Sequence, residues 1–172
     1  MSRKICCILD TCALSFLIED FKKLDNEEKE RLNIFESIKN EITSFVVPSI
    51  VIHELALGLQ ENNDISDNYL KIIIKHFKIF FNGKLKIEPL NAISANEYRK
   101  IYMNNKIKSE NKYKHKIDAL IVAQASHYAS MLYGKYSDFW LITEDNKMRE
   151  YKANDIKIFS LQEAQRNLGL LI

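Results

Sequence analysis

The sequence predicts an α/β fold: a three-layer α/β/α sandwich on a mainly parallel central sheet of about five strands. Short apolar runs, bounded by polar or turn residues, recur along the chain and read as buried strands. Segments of helical periodicity fill the intervals between them. Strands that alternate with helices pair in parallel, and the helices then cover both faces of the sheet.

The first strand is expected over Lys4 to Leu9, where adjacent Cys6 and Cys7 point to opposite faces. Leu32, Phe35, Ile38 and Ile42 then recur at helical spacing, and Asp25 with Glu28 supplies a start signal. Ser44 to Val47 is the second strand, and Pro48 suits the first turn of a helix running to about Gln60. Tyr69 to Phe81 is helical and carries more apolar residues than one core-facing stripe needs. It is either buried between neighbours in the same chain or part of a partner surface. Leu85 to Glu88 is the third strand, and Ser94 with Glu97 resembles a capping box opening the next helix. Phe139 to Ile142 and Ile156 to Phe159 complete the sheet. Ser160 with Glu163 caps a last helix with Leu161, Ala164, Leu168 and Leu171 on one face.

The 172 residues fit one domain, residues 1–172, long enough to bury a core without disulfides. Net charge is only +2, so nucleic-acid binding would need a local patch rather than a basic coat. The three cysteines, Cys6, Cys7 and Cys12, are odd in number and clustered, which points to a reducing, cytoplasmic setting. With no Cys-x-x-Cys pair and scattered histidines, structural zinc is not expected. Arg3 and Lys4 before an apolar run imitate a secretory leader, but Asp10 breaks the run in its middle. No apolar run reaches membrane-spanning length, so no membrane partner is expected. No glycine-rich phosphate loop or dinucleotide fingerprint is present.

Four carboxylates stand where a core should be apolar. Asp10 follows the first strand directly and Asp145 follows the fourth by a short step, at the carboxyl edge where open parallel sheets bind ligands. Glu54 has Ile50, Val51, Leu57 and Gly58 as its helical neighbours, none of them polar. Asp118 begins a stripe continued by Ile121, Val122 and Ala125. Such acids are either paired with buried cations or bound to metal. Taken singly, each suits a salt bridge. Taken together, with few basic residues in these apolar segments, they suit a hard divalent cation, Mg²⁺ or Mn²⁺.

Ile8-Leu9-Asp10-Thr11, Val47 to Leu55, Asp118 to Ala125 and Leu141-Ile142-Thr143-Glu144-Asp145 resemble, in order and spacing, the four motifs of PIN domains. The resemblance implies a parallel sheet between helices and a Mg²⁺- or Mn²⁺-dependent ribonuclease of the VapC-like toxin type. It makes Asp10, Glu54, Asp118 and Asp145 the acidic metal and catalytic site, with Thr11 and Thr143 supporting it. It also implies an RNA substrate, an antitoxin partner, 5′-phosphate products and a homodimer with Tyr69 to Phe81 near the contact. Two features depart from the pattern. Cys12 stands where the family often has Asn or Ser, and the interval from Glu54 to Asp118 is long for a minimal toxin.

In this chemistry the cation polarises the phosphoryl oxygens and acidifies the attacking water. Lys112, Lys114 and Lys116, in a stretch with Lys106 and Lys108, and Lys147 after Asp145 are candidate RNA contacts; a solvated loop is the alternative for the stretch. His53 precedes Glu54 and points elsewhere on the helix, His115 reads as solvated, and Cys12 as a packing residue. The competing functions are a non-catalytic PIN-like interaction module and a phosphohydrolase of another α/β family. A haloacid-dehalogenase-type enzyme would need an aspartate at the place of Cys12.

Overall fold

The computed structural model describes residues 3–18, 23–60, 67–104, 112–153 and 155–170. Each apolar run becomes a strand: β1 (Ile5–Leu9), β2 (Ser44–Pro48), β3 (Leu85–Glu88), β4 (Asp138–Ile142) and β5 (Lys157–Phe159). They pair in the order β3-β2-β1-β4-β5, and every neighbouring pair is parallel. Strands β1 and β2 are buried along their whole length, as expected of parallel strands covered on both faces. Cys6 and Cys7 are accordingly both buried although they face opposite ways.

The intervening helices are α1 (Asn26–Ile38), α2 (Ser49–Gln60), α3 (Asp67–Phe80), α4 (Ala92–Asn104), α5 (Lys112–Met131), α6 (Asn146–Arg149) and α7 (Leu161–Asn167). Two 3₁₀ turns, Thr11–Ala13 and Ser15–Leu17, follow β1. The capping boxes Asp25–Glu28 and Ser160–Glu163 both form. Among the described residues no helix is long and apolar enough to cross a membrane.

Several boundaries differ from the sequence reading. Pro48 closes β2, and the helix starts one residue later at Ser49. Helix α4 begins at Ala92, so Ser94 lies inside it and is not its cap. The lysine stretch from 112 to 116 is the start of α5 rather than a loop. Helix α7 ends at Asn167, which leaves Leu168 beyond it, and Leu171 lies outside the described residues.

Helix α3 uses Ile73 and Phe77 to reach the core, and Phe81 follows them. Phe81 stands 4.4 Å from Phe45 and 5.7 Å from Phe35, ring centre to ring centre, which locks α3 against β2 and α1. Its other face leaves Ile72 60% and Ile79 66% exposed. At the amino ends of the strands, Arg3 Nε donates to Asp138 at 2.8 Å and Lys157 Nζ at 2.6 Å. This clasp ties together the ends of β1, β4 and β5.

The strand order places a switch point at the centre of the sheet. From β1 the chain proceeds to β2 and β3 on one side, then crosses to β4 and β5 on the other. Adjacent loops therefore diverge at the carboxyl ends of β1 and β4 and open a crevice there. Asp10 and Asp145 belong to those loops.

Candidate active site

Asp10 is the first residue beyond β1. Its amide donates to the Ile142 carbonyl at 3.1 Å, which extends the β1–β4 ladder by one step and fixes the backbone. The side chain is only 4% exposed. Thr143 Oγ1 donates to Asp10 Oδ2 at 2.7 Å, and Cys12 Sγ donates to the same oxygen at 3.0 Å. The Thr143 hydroxyl also accepts the Asp145 amide at 3.0 Å. One hydroxyl therefore positions both aspartates.

Asp145 caps α6. Its Oδ1 accepts the backbone amides of Lys147 at 2.8 Å and Met148 at 3.3 Å. The cap orients the carboxylate, and the positive helix end favours its charge. On the other flank, the Thr11 hydroxyl donates to Glu54 Oε2, which links the loop after β1 to α2. Glu54 is half-buried at the edge of its helix face rather than within a wholly core-facing stripe, since Leu57 is 58% exposed. Asp118 is buried on α5, with Ile121, Val122 and Ala125 beneath it as expected.

Electrostatics define the centre. Burial raises the Asp10 pKa and the nearby charge of Asp145 raises it further, against hydrogen bonds from Cys12, Thr143 and the Thr11 backbone. Among the described residues Asp10 is in no ion pair with a lysine or arginine. A carboxylate buried beside a like charge, without a basic partner, calls for another cation. Burial first, then the Asp10 charge, pushes the Cys12 thiol up to about 12, so it stays protonated and donates. Burial also raises the Tyr151 hydroxyl, as do the charges of Asp118 and Asp145.

The structure thus couples Asp10 to Asp145 directly, joins Glu54 through Thr11, and brings Asp118 within electrostatic reach of the same Tyr151 as Asp145. As placed, no three His, Cys, Asp or Glu side chains among the described residues stand together closely enough to hold an ion. Mg²⁺ is commonly held by one or two carboxylates and keeps several waters. The Asp10–Asp145 pair could hold it in that way.

Lys116 and Lys147 are exposed near this edge, whereas the side chains of Lys112 and Lys114, and all of Lys106 and Lys108, lie outside the description. His53 is exposed, with Nδ1 2.7 Å from the Ser49 carbonyl oxygen of its own helix, consistent with a solvated role. Cys12 is more than a packing residue. It bridges Asp10 and the Glu144 amide, which donates to Sγ at 3.1 Å. The sequence signal for this was its position two residues after Asp10. Tyr151 gave no comparable signal, because only the fold brings it within electrostatic reach of Asp118 and Asp145.

The sequence signature of the PIN domain matches residues 7–154, which contain all four acids. The chain belongs to the PIN domain family. PIN domains are in general nucleases. No curated protein sequence matches the chain. Solved structures share the PIN fold. VapBC2 from Rickettsia felis, bound to a promoter DNA fragment, is 17% identical, with a TM-score of 0.55 over 90% of this chain and 98% of that one. FitAcB from Neisseria gonorrhoeae is 18% identical, with a TM-score of 0.55 over 91% of this chain and 98% of that one. DNA-bound VapBC from Salmonella typhimurium is 17% identical, with a TM-score of 0.51 over 92% and 98%.

Proposed function

We propose that this PIN domain is a divalent-metal-dependent endoribonuclease, the toxin of a toxin–antitoxin pair, acting in the cytoplasm. The observation that carries the reading is Asp10: buried, beside Asp145, in no ion pair with a basic side chain among the described residues, at the switch point of a parallel sheet. Asp10 and Asp145 would hold Mg²⁺ or Mn²⁺, with Asp118 and Glu54 completing the site through water or a second ion. When bound, the cation supplies Lewis-acid polarisation of the phosphodiester and a water of lowered pKa.

The chain's own residues do the positioning. Thr143 fixes the Asp10 carboxyl group relative to the Asp145 backbone, and the α6 cap orients the Asp145 carboxyl group. Thr11 holds Glu54 toward the crevice. Lys116 and Lys147, both exposed and each two residues from one of the acids, would contact the RNA backbone. The two-part names of the similar structures, VapBC and FitAcB, support a protein partner for this chain, and we assign that role to an antitoxin. A homodimer completes the proposal.

The test is cleavage of an end-labelled single-stranded RNA with Mn²⁺ or Mg²⁺. Asp10→Asn and Asp145→Asn are each expected to lower kcat on the order of a hundredfold or more, the scale lost when a group stabilising transition-state charge is removed. Circular dichroism should show both variants folded. Undiminished metal-dependent cleavage by a folded variant would overturn the assignment.

A further inference from the structure

We propose that Lys71, Lys75 and Lys78 form a phosphate-contact stripe on α3, an RNA-docking surface remote from the acidic site. The three lysines recur at i, i+4 and i+7 of the helix and fall within about 60° of one another around its axis. All three are exposed, while Ile73 and Phe77 hold the opposite face of the helix in the core. The packing of α3 therefore fixes where the stripe points. Ile72 and Ile79 lie to one side of it and do not interrupt it. From Lys71 to Phe80 the helix carries no acidic residue.

What sets these lysines apart is charge that no carboxylate neutralises. Among the described residues Arg3, Arg31, Lys39, Lys100, Arg149 and Lys157 each pair with a carboxylate, and Lys71, Lys75 and Lys78 pair with none. With a net charge of +2 and four carboxylates at its site, the whole chain offers RNA little long-range attraction, so a local patch must supply it. Cations that succeed one another by about 6 Å and 4.5 Å along a helix axis suit a polyanion whose charges repeat along a strand. Lysine ammonium groups meet phosphates as point charges, without regard to the bases.

The stripe runs away from the acids. Lys78 stands near the carboxyl end of α3, where its carbonyl accepts the Gly83 amide at 2.8 Å, just before β3 begins at Leu85. It therefore lies toward the amino edge of the sheet, whereas Asp10 and Asp145 follow the carboxyl ends of β1 and β4. Five strand residues put the two edges roughly 17 Å apart. An RNA that touches both must reach from the crevice to the side of the molecule. Two linked contacts on one strand reinforce each other through effective concentration, so the stripe adds affinity to long or folded RNA and nothing to a short oligonucleotide.

This inference rests on the ribonuclease reading, and the experiment separates the two. Cleavage with Mn²⁺ is followed for a tetranucleotide and for a long folded hairpin RNA. The proteins are the wild type, the triple variant Lys71→Gln, Lys75→Gln, Lys78→Gln, the matching triple Arg variant, and a control that removes three other cations, Lys23→Gln, Lys135→Gln, Arg166→Gln. The stripe Gln variant is expected to raise KM for the hairpin roughly tenfold, with kcat and the tetranucleotide rate within about twofold of wild type. Its slope of log KM against log salt should be shallower by about 2–3, the share of three phosphate contacts. The Arg variant and the control should stay within about twofold of wild type on the hairpin. Normal hairpin KM in the folded Gln variant would overturn the stripe while leaving the nuclease intact. An equal loss in the control would overturn it in favour of net charge alone. Equal losses on both RNAs with a changed mass in light scattering would overturn it in favour of a protein contact. Should the wild type cleave nothing, the ribonuclease reading falls. Fluorescence anisotropy of the labelled hairpin without metal then decides the stripe: weaker binding by the stripe Gln variant alone supports it, and equal binding by all four proteins overturns it.

Discussion

At the scale of single residues, Thr143 carries more of the site than its chemistry suggests. Its hydroxyl donates to Asp10 and accepts from the Asp145 amide, so its removal loosens both aspartates at once. Thr143→Val keeps the shape and deletes that link. It should cost about 1–3 kcal/mol of stability, because buried Asp10 loses one of its hydrogen-bond donors and the Asp145 amide loses its acceptor. Activity should fall roughly 10–100-fold, as when a partner orienting a metal ligand is removed. Thr143→Ser should recover most of both, as read by thermal melts and by cleavage rates. Equal rates for Val and wild type would mean the hydroxyl positions nothing. The burial of Asp10 and Asp118 was legible in the sequence because a charge among apolar neighbours is conspicuous at fixed spacing, whereas Glu54 and Asp145 are only half-buried. The roles of the Cys12 thiol and of Tyr151 were not legible. A cysteine or tyrosine is ordinary in a core, and its role depends on which neighbours the fold delivers.

At the scale of elements, the central strands β1, β2 and β4 were legible because parallel strands buried on both faces are nearly unbroken apolar runs, and the edge strands β3 and β5, which carry exposed lysines, by their position between turn residues and helices. Boundaries such as Ser49 and Ala92 were less so, because the first turn of a helix is set by local hydrogen bonding that several residues can start. Wholly invisible was the clasp of Arg3, Asp138 and Lys157, whose members are far apart in the chain. Burial tends to raise the Asp138 pKa, but hydrogen bonds and charge from Arg3 and Lys157 outweigh it and leave the group lowered. A carboxyl lowered in the folded state stabilises the fold above its unfolded pKa of about 3.9, and that contribution fades as pH falls through the folded value. Both cations are substantially exposed, so screening limits the gain to roughly 1 kcal/mol or less. Asp138→Asn should therefore lower Tm by about 2–4 °C at most near neutral pH. The gap should close as pH drops below about 4. A gap that persists unchanged at low pH would assign the effect to packing rather than to charge.

At the scale of the molecule, the distribution of apolar surface on α3 bears on assembly. The sequence left open whether this helix is core or contact, and the structure buries one of its faces and leaves the other exposed. Ile73 and Phe77 are buried, with Phe81 just beyond the helix. Ile72 and Ile79 are seven residues apart, hence two turns apart on one side, and are 60% and 66% exposed. Lys71, Lys75 and Lys78 are exposed on the same helix, so a second copy must bring these charges to a rim that stays wet while the isoleucines meet. The expected species in light scattering is a dimer of about twice the 20.1 kDa chain mass. Ile72→Glu and Ile79→Glu should shift it toward monomer with secondary structure unchanged, since both positions face water in the single chain. Phe77→Glu should instead unfold the protein, because a charge forced into that fully buried place without a partner costs several kcal/mol. A monomer at all micromolar concentrations, or a dimer indifferent to both isoleucine variants, would remove α3 from the contact. Unfolding by Ile72→Glu would show that its exposed face is already occupied within the chain.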